Sequence, residues 1–285
     1  MKEGRRMVSI VIPCYNSGQF LREAVQSVWQ YPDQMACEII IVDDGSSDRV
    51  TLEVLKDLER EGLQVIHQSN RGPAAARNTG IKASSCKYIL TLDSDNKIRP
   101  DYICDGLRVL EENPRVGVVY GDAEYFGDKT GRWQVSDFSL GHLARENYID
   151  NCAMFRRAAW EEVGGYDEER LIMGWEDWEF WLRIALKNWG FYHVNAVLFD
   201  YRVRQGSLIS SINQNLGQSL DYIFSKDELK DANAIRQRQL EITRLFYVEC
   251  SPDYRLGRAV LNPLRKMRRL LKGKLAKPGV DKPIP

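Results

Sequence analysis

The sequence contains no long hydrophobic run and no excess of charge of either sign. None of its apolar stretches approaches the roughly 18 to 20 residues that a membrane-spanning helix needs, and no signal-peptide-like segment precedes the first predicted strand. Lysine plus arginine and aspartate plus glutamate total 40 each, so no overall field favours nucleic acid as a partner. These absences predict a cytoplasmic protein that contacts a membrane only peripherally, at its inner face.

Cysteine and histidine are few and scattered. The six cysteines and three histidines form no C-x-x-C pair and no cluster with the spacing of zinc ligands. This pattern argues against a zinc site and a disulfide-stapled secreted module, and it predicts reduced thiols. The motifs G-x-G-x-x-G and G-x-x-x-x-G-K-[ST] are absent too, so neither a dinucleotide dehydrogenase nor a P-loop NTPase is supported.

Short apolar runs alternate with amphipathic segments in the first third of the chain. Residues 8–13 and 38–42 have the composition of buried strands, and residues 63–67 are predicted to form a third strand. Residues 20–31 and 50–61 have helical periodicity. A β-α-β-α-β order favours right-handed crossovers and a mostly parallel sheet with helices on both faces. We therefore predict an α/β fold with a Rossmann-like central sheet.

Two predicted strands end in carboxylates. The second strand leads into Asp43 and Asp44, and the apolar run 88–92 leads into Asp93 and Asp95. The carboxyl ends of parallel strands share one edge of a sheet, where α/β proteins bind ligands, so we expect the two pairs to converge. Such oxygen donors suit Mg²⁺ or Mn²⁺, which leaves coordination positions for phosphate oxygens. The pattern predicts a metal holding the diphosphate of a sugar nucleotide, although Asp93 and Asp95 would also serve as simple turn formers.

Two helices carry further candidate residues. Arg77 lies on a helix of small residues and is a candidate anion partner, the alternative being a solvated side chain. Glu176 and Asp177 stand in a first helical turn, where they would also stabilise the helix dipole by roughly 0.3–1 kcal/mol each. Neighbours on a helix diverge by about 100°, so we expect at most one of them in a cleft. Trp175 can offer a flat face to a sugar ring or pack in the core.

Six segments occur in a defined order along the chain. They are 8–13 with Tyr15-Asn16, Val42-Asp43-Asp44-Gly45-Ser46-Ser47-Asp48, Gly72-Pro73 with Ala76-Arg77-Asn78-Thr79-Gly80, Leu92-Asp93-Ser94-Asp95, Gly164-Gly165-Tyr166-Asp167, and Trp175-Glu176-Asp177. This ordered set resembles a family 2 glycosyltransferase of the GT-A fold, and the resemblance covers roughly residues 7–210. The resemblance implies an inverting, metal-dependent enzyme that moves a sugar from a nucleotide-diphosphate donor, with a UDP-linked donor expected.

The resemblance also implies a role for each matching residue. Those that bind the donor are Pro13, Tyr15, Asp44, Arg77, Asp93 and Arg204. Asp95 binds Mn²⁺ or Mg²⁺, Asp177 is the general base, and Trp175 and Glu176 face the acceptor. Arg202, Arg204 and Ser207 resemble a segment that closes over the diphosphate.

The acceptor implied by the resemblance is a hydroxyl of a glycan or of a lipid-linked glycan, as in the synthesis of cell-surface polysaccharides or glycoconjugates. Processive membrane synthases of the family carry transmembrane helices and a Q-x-x-R-W motif, which are absent here, so we expect one sugar per encounter. Two other functions remain open. One is a non-catalytic nucleotide-sugar-binding module, and the other is a sugar nucleotidyltransferase, whose Gly-rich basic loop after the first strand is lacking.

We predict two regions along the chain. A GT-A domain covers 1–212, with a nucleotide-sugar-binding half at 7–120 and an acceptor-binding half at 121–212, and a helical, basic extension covers 213–285. Within the extension, 258–274 interleaves basic and apolar residues at helical spacing. That pattern predicts peripheral contact with an anionic membrane, the alternative being a solvated helix or one that packs in a homo-oligomer.

Overall fold

The computed structural model describes residues 7–33, 37–204 and 216–250. The strands are β1 Val8–Cys14, β2 Cys37–Asp43, β3 Gln64–His67, β4 Tyr88–Thr91, β5 Lys97–Ile98, β6 Val116–Gly127, β7 Gly131–Trp133, β8 Met154–Arg156 and β9 Gly190–Val203. The α-helices are α1 Gly18–Trp29, α2 Arg49–Arg60, α3 Pro73–Ala83, α4 Pro100–Glu112, α5 Leu140–Arg145, α6 Arg157–Glu162, α7 Glu176–Leu186, α8 Leu216–Ser225 and α9 Lys230–Cys250. Of these helices, none is long and apolar enough to cross a membrane.

The strands form one sheet in the order β3-β2-β1-β4-β8-β6-β9-β5, with β7 paired to β6. The first four strands are parallel, as the alternating sequence pattern predicts. β8 is antiparallel to both of its neighbours, β4 and β6, whereas β6 and β9 are parallel to each other. The second half of the sheet is therefore mixed, because β8 enters it in the direction opposite to the strands on either side.

Helices cover both faces of the sheet. Side chains alternate across a strand, and on β1 this sends Ile10 and Ile12 into one apolar cluster and Val11 into the other. The first cluster contains side chains of α1, α2 and α4, and the second contains side chains of α3, α5, α6 and α7. The predicted α/β architecture with two covered faces is confirmed.

β1 and β2 end level with each other at one edge of the sheet, and β4 ends three positions earlier beside β1. Cys14 at the end of β1 pairs with Asp43 at the end of β2, and Val11 pairs with Thr91 of β4. The loops that follow these three strands therefore leave the sheet at the same edge. This register brings together the segments after β1, β2 and β4 that carry the predicted ligands.

The chain divides into two compact units, Met1–Ile235 and Arg236–Pro285. In the first unit, Phe224 of α8 packs its ring against Trp178 of α7, with the centroids 5.9 Å apart. Lys226 donates to Asp167 and Glu179 at 2.5 Å each, which ties the same segment to α7. Of the second unit, the structure describes residues 236–250, the continuation of α9. The predicted boundary at 212 and the basic segment 258–274 lie outside the described residues, so the proposed division stays a prediction.

Gly80 allows α3 to lie directly on the sheet. A Cβ at this position would come within 2.5 Å of Val11 Cγ1 and 3.1 Å of Val42 Cγ2. Both neighbours are buried β-branched side chains with little rotamer freedom. We expect Gly80→Ala to lower the free energy of unfolding by about 1–3 kcal/mol, because overpacking outweighs the gain in helix propensity. Denaturant titration would measure this change.

Gly217 provides a matched control in another helix. It is exposed in α8, and a Cβ there would meet nothing within 4 Å. Gly217→Ala should therefore change stability by no more than about 0.5 kcal/mol. Equal stability of the two variants would show that α3 is not held closely against β1 and β2.

Candidate active site

A cavity of about 450 Å³ opens beside the strand ends, between α3 and α7. This volume lies within the range of small-molecule sites. Nine of the ten predicted site residues line it, namely Pro13, Tyr15, Asp44, Arg77, Asp93, Asp95, Glu176, Asp177 and Arg204. Arg202 lines it too, whereas Ser207 lies outside the described residues. Residues that are up to 191 positions apart in the sequence thus line the same cavity.

Trp175 is the predicted residue that does not line the cavity. Its ring packs against Trp178 with centroids 5.9 Å apart, at the edge of the apolar cluster around α7. Core packing was the alternative for this tryptophan. Its role in binding the acceptor stays a prediction without support from this placement.

The loops after β1 and β2 are tied together by Asn16. Its φ of 48° lies in the left-handed region, which asparagine tolerates better than most residues. Its Oδ1 accepts hydrogen bonds from the backbone N–H groups of Ser47 and Asp48 at 2.8 and 3.1 Å. Tyr15, next to this anchor, exposes 51% of its surface at the cavity. The aromatic ring is therefore free to contact a flat ligand.

Asp44 is buried and held by the loop that precedes α3. Its Oδ1 accepts from Gln68 Nε2 at 2.7 Å and from the Arg71 N–H at 2.9 Å, and its Oδ2 accepts from the Gly72 N–H at 2.8 Å. Gly72 has a φ of 94°, which favours glycine at this point. Asp44 therefore fixes the shape of the cavity wall beside Tyr15.

Arg77 connects two acids from distant parts of the chain. Its Nη2 donates to Asp93 Oδ1 at 2.8 Å, and its Nη1 donates to Glu176 Oε1 at 2.7 Å. Burial alone would lower the pKa of the Arg77 guanidinium, but the two carboxylates raise it above its ordinary value. The side chain is only 4% exposed, so the alternative of a solvated arginine is wrong.

Glu176 and Asp177 both line the cavity, whereas the helical spacing predicted that at most one would. Glu176 does so because its carboxylate bonds back to the Gly174 N–H and across to Arg77. Asp177 Oδ1 accepts from Asn147 Nδ2 at 3.0 Å and from the Trp178 N–H at 2.7 Å. Burial, followed by the charge of Glu176, raises the pKa of the Asp177 carboxyl well above its ordinary value.

Asp95 lies opposite two arginines at the end of β9. Arg204 Nε donates to its Oδ2 at 3.2 Å, and Arg202 Nε donates to its backbone carbonyl at 3.0 Å. The Arg202 guanidinium lies over the ring of Phe20 at 4.4 Å, which holds this arm in place. Burial and the charge of Asp93 raise the pKa of the Asp95 carboxyl despite the neighbouring Arg204.

The donor set at Asp93 and Asp95 fits a hard divalent cation. The two carboxylates offer oxygen ligands, and the charge of Asp93 reaches the Asp95 carboxyl. Mg²⁺ or Mn²⁺ is commonly bound by one or two carboxylates, while water and phosphate complete its shell. No group of three or more acidic, histidine or cysteine ligands occurs in the described ranges. The residues therefore suit a cation shared with a phosphate ligand and do not form an all-protein cage.

Asp150 is a cavity residue that the sequence did not single out. Its Oδ1 accepts from the Cys152 N–H at 2.7 Å. Burial, and then the charge of Asp93, raises the pKa of the Asp150 carboxyl to about 7. The only sequence signal was its place just before the predicted strand at 151–155, which leaves it indistinguishable from an ordinary loop aspartate.

Tyr201 is a second cavity residue that the sequence did not single out. Its ring lines the cavity, and burial raises the pKa of its phenol, with the charges of Asp150, Asp93, Asp95 and Asp177 adding to the shift. The phenol therefore lies within electrostatic reach of four carboxylates. A tyrosine near the end of a long strand gives no sign of this role in the sequence.

The raised pKa of Asp150 predicts how stability depends on pH. The folded protein binds the Asp150 proton more tightly than the unfolded chain does, so its contribution to stability falls as pH rises from about 4 to 7. Asp150→Asn should therefore raise Tm at pH 8 by a few degrees, about 2–4 °C for each kcal/mol gained, and by less at pH 5.

Asp221 is the control for this measurement, because it is exposed on α8. Asp221→Asn should leave the pH dependence of Tm unchanged. If Asp150→Asn gave the same Tm difference from the wild type at both pH values, Asp150 would not titrate as its burial requires.

Comparison with solved structures identifies the type of fold. TarS of S. aureus in complex with UDP-GlcNAc superposes with a TM-score of 0.64 at 19% identity, over 82% of this chain and 71% of that chain. Mannosyltransferase PcManGT from Pyrobaculum calidifontis, in complex with GDP-Man and Mn²⁺, superposes with a TM-score of 0.61 at 16% identity, over 88% and 83%. These likenesses show the fold alone, and they confirm the predicted GT-A architecture.

The family follows from the sequence comparisons. The family model described as glycosyl transferase family 2 matches residues 9–169, and the chain belongs to that family. Poly-beta-1,6-N-acetyl-D-glucosamine synthase of Staphylococcus epidermidis is 28% identical over 213 residues, which cover 69% of this chain and 47% of the synthase. The chain thus spans about half the length of this relative.

Proposed function

We propose that this glycosyltransferase moves a sugar, with inversion, from a UDP-linked or other nucleotide-diphosphate donor to a hydroxyl of a glycan or lipid-linked glycan. One observation carries the proposal: Asp95, Arg77 and Asp177 line the same cavity although they come from three different elements. Such a transfer requires three groups within one crevice. They are a carboxylate that binds a metal ion (Asp95), a positive charge near the diphosphate (Arg77) and a general base (Asp177).

The donor half of the proposal rests on the loops after β1 and β2. Tyr15 presents an exposed ring and Asp44 a rigidly held carboxylate at the same end of the cavity. An aromatic face and a hydrogen-bond acceptor suit the base and ribose of a nucleotide. Arg204, at the end of β9, is half-exposed near Asp95 and available to the diphosphate.

The acceptor half of the proposal rests on Asp177. Its raised pKa brings a carboxylate closer to the working pH of a general base. In the proposed step Asp177 takes the proton of the acceptor hydroxyl, whose oxygen forms the new bond to the anomeric carbon. The bond to the diphosphate breaks on the opposite side, so the anomeric configuration inverts.

Asp95 would hold the Mn²⁺ or Mg²⁺, with Asp93 beside it. The chemistry that such a cation supplies is neutralisation of the negative charge that develops on the leaving diphosphate. Arg77 keeps Asp93 oriented through the 2.8 Å hydrogen bond, and it is itself held by Glu176. The Mn²⁺ in the PcManGT structure supports this assignment at the level of the fold.

Asp177→Asn tests the base directly. We expect turnover to fall about 10²- to 10⁴-fold, because the amide cannot accept the proton, while donor binding stays within about twofold. The measurement is release of the nucleoside diphosphate with and without acceptor, together with a donor titration. Asp221→Asn, on an exposed face of α8, should behave as the wild type. Turnover of Asp177→Asn within a few-fold of the wild type would refute the assignment.

A donor screen tests the site and its cation together. UDP-, GDP- and dTDP-sugars, each with and without Mn²⁺, should reveal one donor whose binding raises Tm by several degrees, since about 2.7 kcal/mol is gained at 100 times Kd. Asp95→Asn should remove the Mn²⁺-dependent part of that rise. If a donor raised Tm equally with and without Mn²⁺, in both the wild type and Asp95→Asn, the result would count against a metal-dependent enzyme.

The same assays separate the other candidate functions. A non-catalytic binding module would gain stability from the donor without releasing the nucleoside diphosphate, and a nucleotidyltransferase would release pyrophosphate.

The cytoplasmic location, the homo-oligomer and the membrane contact through 258–274 remain proposals. We also propose that this chain acts in making cell-surface polysaccharide, and its 28% identity to the S. epidermidis synthase supports this.

A further inference from the structure

Three aromatic side chains occupy neighbouring positions on β7, β6 and β9. On β6, Tyr125 pairs with Gly131 of β7 and with Tyr201 of β9, and Ala123 pairs with Trp133. Residues two apart on a strand point to the same face, so Trp133, Tyr125 and Tyr201 share one face of the sheet. We call these three residues the aromatic platform.

The rings of the aromatic platform contact one another. Tyr125 and Trp133 are nearly parallel, at 3°, with centroids 6.1 Å apart. The ring of Tyr201 meets both edge-on, at 5.9 and 5.8 Å. Such offset and edge-to-face arrangements are favourable for aromatic rings and keep them in fixed orientations. The platform is therefore a rigid apolar surface.

The aromatic platform adjoins the cavity through Tyr201. Tyr201 belongs to both, since its ring lines the cavity. Burial raises the pKa of the Tyr125 phenol and the charge of Asp150 adds to the shift, which places Tyr125 within electrostatic reach of that cavity acid. The apolar surface thus adjoins the carboxylates at Tyr201, on the side of the cavity formed by the end of β9.

The strand pair that carries the platform is fixed by a buried charge. Asp122 is fully buried, and its Oδ2 accepts from Arg132 Nε and Nη2 at 2.9 and 2.6 Å. Its Oδ1 accepts from the Val135 N–H at 2.9 Å. These bonds anchor both flanks of Trp133. Lys129 lies 3.8 Å above the Tyr125 ring, so Trp133 is the ring that we expect a ligand to cover.

Sugars combine hydroxyl groups with apolar C–H faces. A site for a sugar ring therefore needs hydrogen-bonding groups beside an aromatic surface, and the cavity acids and the aromatic platform supply the two together. We propose that Tyr125, Trp133 and Tyr201 form the acceptor subsite, and that the acceptor places a sugar ring on Trp133. This inference rests on the proposed function, and it narrows the acceptor to a glycan.

The test measures binding of glycans without relying on turnover. The probes are tetrasaccharides of β-linked N-acetylglucosamine, of β-linked glucose and of α-linked mannose, detected by saturation-transfer NMR with the full chain. We expect saturation of ring C–H protons in at least one probe, and an affinity about tenfold lower in Trp133→Ala. Trp133→Phe keeps an aromatic face and should retain most of the affinity, which guards against a folding defect in the alanine variant.

Tyr192→Ala is the matched control, since Tyr192 lies on β9 like Tyr201, is 43% exposed and does not line the cavity. It should bind the probe as the wild type does. The inference is overturned if no tetrasaccharide is saturated by the wild type, or if Trp133→Ala binds it equally well. Donor-induced stabilisation should be unchanged in Trp133→Ala. Glycan binding without any donor turnover would refute the proposed function and leave the subsite standing.

Discussion

The site depends on one interaction, the pairing of the buried Arg77 guanidinium with two carboxylates. The guanidinium is in contact with Asp93, which follows β4, and with Glu176, at the start of α7. A buried charge is tolerated only when it is fully paired, and here two carboxylates compensate one cation. The strand end that precedes Asp93 and Asp95 and the helix that carries Asp177 are thereby held at a fixed separation.

Arg77 does not neutralise the cavity. The pKa values of the Asp95, Asp150 and Asp177 carboxyls are all raised, first by burial and then by the charges of neighbouring acids. Withdrawing these ionised carboxylates from water lowers the stability of the folded protein, and a cation or an arginine close to them offsets part of that cost. Such a trade of stability for function is common at enzyme sites. It also explains why the arginines of β9 lie where they do, beside Asp95.

Much of the fold follows from local patterns. The strand-helix alternation before Asp93 predicts the parallel half of the sheet, since each apolar run there forms a strand, and those of β1, β2 and β4 are buried almost throughout. Beyond residue 120 the local patterns do not predict the direction or the order of the strands. Nothing local to Met154–Arg156 specifies that β8 runs antiparallel between β4 and β6, because strand direction is set by which partners the connecting segments can reach.

The motifs Asp93-x-Asp95 and Glu176-Asp177 could be recognised in the chain itself, because the chemistry of a carboxylate at a strand end or helix start is a local property. Their partners could not. Arg77 and Glu176 are 99 positions apart, and Asp150 and Tyr201 acquire their meaning from charges that approach through space. Residue type and spacing thus sufficed for the family and its acids, whereas burial and proximity, which exist only after folding, selected the ion pair, the additional acid and the aromatic wall.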